Sequence, residues 1–244
     1  MTEREQQQRQ FLRHKAEQTE AEGHFLNDVA EHVMEIELDQ GLHRSIKFAR
    51  PGSSNRYFRL VTWPGHLCIS GDMGDYVFCR LSDMFEFFRP RPESLKRSPL
   101  PINLGYWAEK LQAEDSSAAG FRTRRGMSFS QVQFKANIRN YIDRFDFADP
   151  VDKAEVWSEV KDLIFDKLDD TGAAAKAEAY DYHHAASGFR FVDLWDSSDD
   201  DYSHHFTWCC RAISWGIQRY DGARLAARPP TRQPSCALAQ AVPA

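Results

Sequence analysis

Several common signatures are missing from this sequence, and each absence narrows the reading. No glycine-rich phosphate loop and no CxxC spacing occur, so neither a nucleotide-triphosphate loop nor a zinc ribbon is written in the chain. The five cysteines are an odd count and two of them, Cys209 and Cys210, are adjacent, which is not the pattern of a disulfide framework. No apolar run approaches the roughly 20 residues of a membrane-spanning helix. The first residues, Met1-Thr2-Glu3-Arg4-Glu5-Gln6, lack the apolar stretch of a secretion signal. A cytoplasmic protein with no membrane partner is therefore expected. Excess positive charge is missing too. A formal net charge of −5 argues against a general nucleic-acid binder, without reaching the acidity of a DNA mimic.

What is present is enough for a sizeable core. The 244 residues are 42% hydrophobic and include six Trp and seventeen Phe, too many apolar anchors for a disordered chain. Residues 1–21 read as a polar arm. From Glu22 the residues Phe25, Leu26, Val29, Val33 and Ile36 recur at helical spacing, which predicts one amphipathic helix ending at Gly41. Four strands follow in the reading, His43–Ala49, Arg56–Trp63, His66–Ser70 and Tyr76–Leu81. Pro64-Gly65 forms a type II turn between the middle pair, and Gly71–Asp75 closes the next hairpin. This meander, about 43–81, predicts an antiparallel sheet.

The second half, about 103–222, reads as mainly helical. Ser82 or Asp83 caps a short aromatic helix over Met84–Phe88, and a helix is expected over Tyr106–Gln112. Further helices are expected over Ser130–Phe147, from Asp149-Pro150 to Leu168, and over Ala173–His183, with a fifth strand at Phe189–Trp195. The last helix begins after Asp201 or Ser203 and ends before Gly222. Its apolar residues wrap most of the circumference and leave a polar stripe of Thr207, Arg211, Ser214 and Gln218. Residues 223–244 read as a disordered tail. The fold class is thus α+β: one domain over 22–222, an antiparallel β-meander packed against a mainly helical C-terminal half.

Two segments carry a family resemblance. One runs from Thr62-Trp63-Pro64-Gly65-His66-Leu67 through Gly71-Asp72-Met73-Gly74-Asp75-Tyr76 to Asp83-Met84-Phe85-Glu86-Phe87-Phe88. The other is His205-Phe206-Thr207-Trp208-Cys209-Cys210-Arg211-Ala212-Ile213, continuing to Trp215-Gly216-Ile217. Together they resemble a group of accessory proteins encoded by bacteriophages and prophages. The resemblance implies a protein of the bacterial host cell that binds a macromolecular partner, a host protein or ribonucleoprotein complex, as an inhibitor of a defence system such as CRISPR–Cas. It brings no catalytic residue and no cofactor.

The residues themselves offer candidate clusters. His66, Asp72 and Asp75 flank the hairpin turns, where loop amides cradle an anion or carboxylates hold a metal; a tight solvated turn is the plainer reading. Arg89 and Arg91, with Lys96 and Arg97, and then Arg122, Arg124 and Arg125, are basic spots beside aromatic segments. They suit docking to a partner, or contact with the phosphates of a single strand. The acidic run through Asp193, Asp199 and Asp201, followed by His204 and His205, has the residue types of a metal-dependent nuclease or phosphate-acting hydrolase. Adjacent histidines point to different sides of a helix, though, and acids before a helix N-terminus favour its dipole.

Overall fold

The structure is a computed structural model that describes residues 16, 18–114, 126–194 and 198–227. Its first element is a helix, α1, over residues 18–28. Phe25 and Val29 anchor it in the core. The expected helix does not continue to Gly41. The chain turns at residues 29–31 and enters a strand, β1, Val33–Gln40. Val33 and Ile36 stand at helical spacing, but Met34, Ile36 and Leu38 alternate with Glu35, Glu37 and Asp39, and that period of two prevails.

Six strands form one antiparallel sheet in chain order: β1, β2 (His43–Ala49), β3 (Phe58–Trp63), β4 (His66–Gly71), β5 (Tyr76–Cys79) and β6 (Leu111–Glu114). The meander and its turns are as expected. Gly65 takes φ +83° at the third position of the type II turn. Gly71 is more constrained: at φ +152° a Cβ there would lie 2.2 Å from the Tyr57 carbonyl oxygen. The sixth strand is a correction. Helix α4 (Leu104–Ala108) stops short, and Leu111, Ala113 and Glu114 pair with β5, with Gln112 at a break in the register.

One face of the sheet builds the larger core. Alternation sends Ile46, Phe48, Phe58, Leu60, Leu67, Ile69 and Phe78 to the same side. Across them lies α8, His204–Ala226, which brings Phe206, Cys209, Ile213, Ile217 and Tyr220. Gly216 lets the helix approach closely, because a Cβ there would stand 2.9 Å from Leu60 Cδ1 and 3.1 Å from the Phe48 ring. Trp208 and Trp215 meet the stacked Phe48 and Phe58 rings edge-on. Short helices α2 (Met84–Phe88, capped by Asp83) and α3 (Pro92–Leu95) follow β5, and α2 adds Phe85 and Phe88 to this core.

One expectation about α8 changes: it runs past Gly222 to Ala226. Within its polar stripe, Arg211 and Ser214 are buried. Arg211 donates to the Gln18 carbonyl of α1 at 3.5 Å, and Gln218 donates to the Pro99 carbonyl at 3.1 Å. The stripe faces other parts of the chain.

A second core lies in residues 129–194. Helix α5 (Gln131–Arg144) is capped by Ser130. Helix α6 (Pro150–Glu159) starts with Asp149 as cap and proline in the first turn. The expected run to Leu168 loosens into a π turn at Val160–Ile164 and a 3₁₀ turn at Phe165–Lys167. Gly172, at φ +64°, packs so tightly on Phe129 that a Cβ would fall 2.2 Å from its ring. Helix α7 (Ala173–Asp181) ends before His183, which joins His184 in a two-residue strand, β8, paired with β9 (Phe189–Arg190). The longer fifth strand is therefore reduced to two residues; its last position, Trp195, lies outside the described residues. Phe134, Ile138, Ile142, Val156, Val160, Ile164 and Phe189 fill this smaller core.

The ends of this helical lobe meet. β7 (Met127–Phe129) pairs antiparallel with β10 (Asp200–Tyr202). The lobe is thus an insertion between β6 and α8.

Candidate functional site

The hairpin candidates sit at opposite ends of one strand. His66 opens β4, stacks on Trp63 at 5.0 Å and has Nδ1 at 3.2 Å from the Pro64 carbonyl. Asp72 and Asp75 follow the far end of β4. Asp72 accepts the Arg56 amide at 2.7 Å, and Asp75 accepts the Gly71 amide at 3.3 Å. The expected nearness of His66 to the two acids is corrected by the strand between them. Asp75 serves the backbone of its own turn, and Asp72 that of the loop before β3.

The acidic run is also divided. Asp199 is 7% exposed, accepts the Asn137 amide at 2.8 Å and faces Lys176 at 3.2 Å, which ties the β10 approach to α5 and α7. Asp201 is exposed and accepts the Tyr202 amide. His204 and His205 occupy the first turn of α8 with ring centres 6.1 Å apart. Partial burial, then His205, hold the His204 imidazole below its ordinary pKa. Asp193 turns the chain at φ +54°. Among the described residues no three His, Cys, Asp or Glu side chains converge in a way that would hold a metal ion.

The basic spots separate too. Arg89 is neutralised by a two-pronged bond to Asp221 of α8, at 2.7 and 3.0 Å. Arg91, Lys96 and Arg97 have no ion-pair partner among the described residues. They are exposed, as is Leu95 at 40%. The segment carrying them is nevertheless fixed. Ser94 Oγ donates to the Arg91 carbonyl at 2.7 Å, Ser98 bonds Glu22 of α1, Leu100 is buried, and Gln218 holds Pro99. A rigid support thus presents three unpaired cations around an apolar residue. Arg122, Arg124 and Arg125 lie outside the described residues.

Arg44 escaped the sequence reading. Its guanidinium grips Asp83 with two bonds of 2.9 Å and lies over the Phe85 ring at 4.6 Å. Burial would raise the Asp83 carboxyl pKa, but the Arg44 bonds and the Phe85 amide hold it below the carboxylate range. The same corner holds Tyr220, whose hydroxyl donates to Asp39 at 3.0 Å, and Arg224, at 2.6 Å from Asp39. Asp39 reaches them because the register shift between Ile36 and Leu38 turns the end of β1. Asp83 precedes a helix and reads as a cap, which hides its second role. These charges join α2, β1 and α8.

Two arrangements in the lobe were missed as well. Buried His184 meets the Ser187 hydroxyl through Nδ1 at 2.7 Å, and its Nε2 lies 3.5 Å from Glu155; the Ser187 amide also points at Nδ1, so the ring fastens its own hairpin. Beside it a cleft of about 480 Å³ opens between α5 and the strand after Gly188, with Arg144 and Arg190 in its walls.

The chain matches no known protein family, no curated protein and no solved structure. Among the described residues no helix is long and apolar enough to cross a membrane.

Proposed function

We propose that this is a phage or mobile-element accessory protein that acts by binding a macromolecular partner of the host, an inhibitor of a defence complex such as CRISPR–Cas. The resemblance of the Thr62–Phe88 and His205–Ile217 segments supports the context. The observation that carries the binding mode is the fixed segment 91–97, with Arg91, Lys96 and Arg97 exposed and unpaired around Leu95. Cations without local partners, ringed about an apolar residue, suit an acidic protein or ribonucleoprotein surface. The metal-hydrolase reading is weaker, because Asp72, Asp75 and Asp199 already serve backbone amides, Asn137 and Lys176. Single-strand binding is disfavoured by the net charge of −5 and by the neutralised Arg89.

The test is capture from host lysate with the native chain and with a triple reversal, Arg91→Glu, Lys96→Glu and Arg97→Glu. Like charges across an interface cost several kcal/mol, so the reversal is expected to weaken a stoichiometric partner by at least about a hundredfold. Its melting temperature is expected to match the native chain, since all three side chains are exposed. Equal capture by both proteins overturns the binding mode.

A further inference from the structure

The cleft in the helical lobe is built by two elements. At the end of α5, Tyr141 and Arg144 stand three residues apart on one helical face, and Phe145, the extended residue that caps the helix, continues that wall. On the chain leaving the β8–β9 hairpin, the buried Phe189 and Phe191 pack against Phe145 and Tyr141, and Gly188, Phe189, Arg190 and Val192 supply the other lining of the cleft. The volume between them, about 480 Å³, is that of a small-molecule site.

Its walls are unlike a solvated surface. Phe145 is 37% exposed and Val192 is 45% exposed, yet Phe145 is held edge-on by Phe147 at 4.7 Å and Phe189 at 5.1 Å. The apolar wall is therefore ordered before anything binds. Arg144 and Arg190 have no ion-pair partner among the described residues. The nearby Asp143 is bound to Lys153 at 3.0 Å. One guanidinium comes from a helix end and the other from a strand. A planar carboxylate is satisfied by a single guanidinium fork, whereas a tetrahedral phosphate offers oxygens to forks arriving from two walls. A flat aromatic group beside that phosphate finds Phe145, Val192 and the half-buried Tyr141.

We propose that this cleft binds a nucleoside monophosphate, with Arg144 and Arg190 on the phosphate and the Phe145–Val192 wall against the base. The site is separate from the cationic segment 91–97, and it stands or falls independently of the partner reading. The hairpin fastened by His184 and Ser187 holds the Gly188–Val192 wall in place.

Calorimetric titration of the full chain with AMP, adenosine and inorganic phosphate tests it. AMP is expected to saturate one site with a Kd below about 1 mM, and adenosine and phosphate to bind at least about tenfold more weakly. Arg144→Gln and Arg190→Gln are each expected to weaken AMP by about tenfold or more, since each removes a charge-assisted fork. Amide NMR on the unsubstituted protein gives a reading that needs no variant to fold. AMP is expected to shift Gly188, Arg190 and Val192 and to leave Arg91–Arg97 unmoved. Absence of saturation, equal affinity for AMP and phosphate, unchanged binding in both variants, or shifts centred on Arg91–Arg97 would each overturn the proposal.

Discussion

The two cores of this protein solve the same problem with different means. The sheet core is broad, aromatic and closed by one 23-residue helix, α8. Ion pairs pin its margins: Arg44 to Asp83, Arg89 to Asp221 and Arg224 to Asp39. The lobe core is small, made from short helices with a π turn in the middle and a two-stranded hairpin at its side. It leaves Val132, Val151, Leu163, Tyr180 and Val192 substantially exposed. The contrast teaches that the sheet region fastens its margins with ion pairs, whereas the lobe leaves Arg144 and Arg190 beside a cleft without such partners among the described residues.

The strongest way to break the comparison is Ile213→Asp. Ile213 is fully buried where α8 crosses the sheet, so the carboxylate loses water and finds no partner. Loss of soluble, folded protein is expected, read by yield and circular dichroism. Normal expression with an unchanged melting temperature would show that α8 is not the keystone. Next comes Ile138→Ala in the lobe, expected to cost about 2–5 kcal/mol through the cavity it leaves. Hydrogen exchange is the measurement. Amides of 131–181 are expected to lose protection while β2–β5 keep theirs. Uniform loss would mean that the two cores unfold as one.

A smaller effect is expected from Arg44→Met. Asp83 keeps 21% of its side chain in water, so the cost is about 2 kcal/mol, below that of a fully buried pair. It carries a pH signature. The folded Asp83 carboxyl lies below its unfolded value, so the native state binds fewer protons in that window. Its contribution is complete above a pH of about 4 and fades as pH falls toward the folded value. Melting curves of native and Arg44→Met protein are expected to converge on acidification; a constant gap would remove the pair from the account. The smallest effect belongs to Glu37→Gln at the sheet margin. Arg59 and Ser45 bring the Glu37 carboxyl down to about 2. The pair is only partly shielded from water, so about 0–1 kcal/mol is expected by denaturant unfolding.

The sheet was legible because its information is local. Pro64-Gly65 and the Gly71–Asp75 turn each sit between runs of matching alternation, and Asp83 caps α2 where a cap belongs. The acidic edge strand β1 reads as helix because Val33 and Ile36 satisfy a spacing of three. β6 was missed because four residues after a short helix carry too little pattern. Burial of Arg211 cannot be read from α8 itself, since the covering residues come from α1, nearly two hundred positions earlier. Segment 91–97 reads as basic, but the sequence does not reveal that Arg89 is taken by Asp221 while Arg91, Lys96 and Arg97 have no ion-pair partner among the described residues. The cleft needs two elements to meet, each contributing one ordinary-looking arginine.

The insertion of the lobe between β6 and α8 sets an order of events. The six strands are neighbours in the chain and can pair as they are synthesised. The helix that covers them is not: after Glu114 closes β6, the whole lobe must be made before Ser203 starts α8. Through that interval Phe48, Phe58, Leu60 and Phe78 line a sheet whose main cover does not yet exist, and such a face invites association with other nascent chains. A lobe that folds on its own brings β7 and β10 together at its base and delivers α8 to the waiting sheet. A slow or defective lobe prolongs the exposure, so damage confined to residues 129–194 is expressed as aggregation of the sheet.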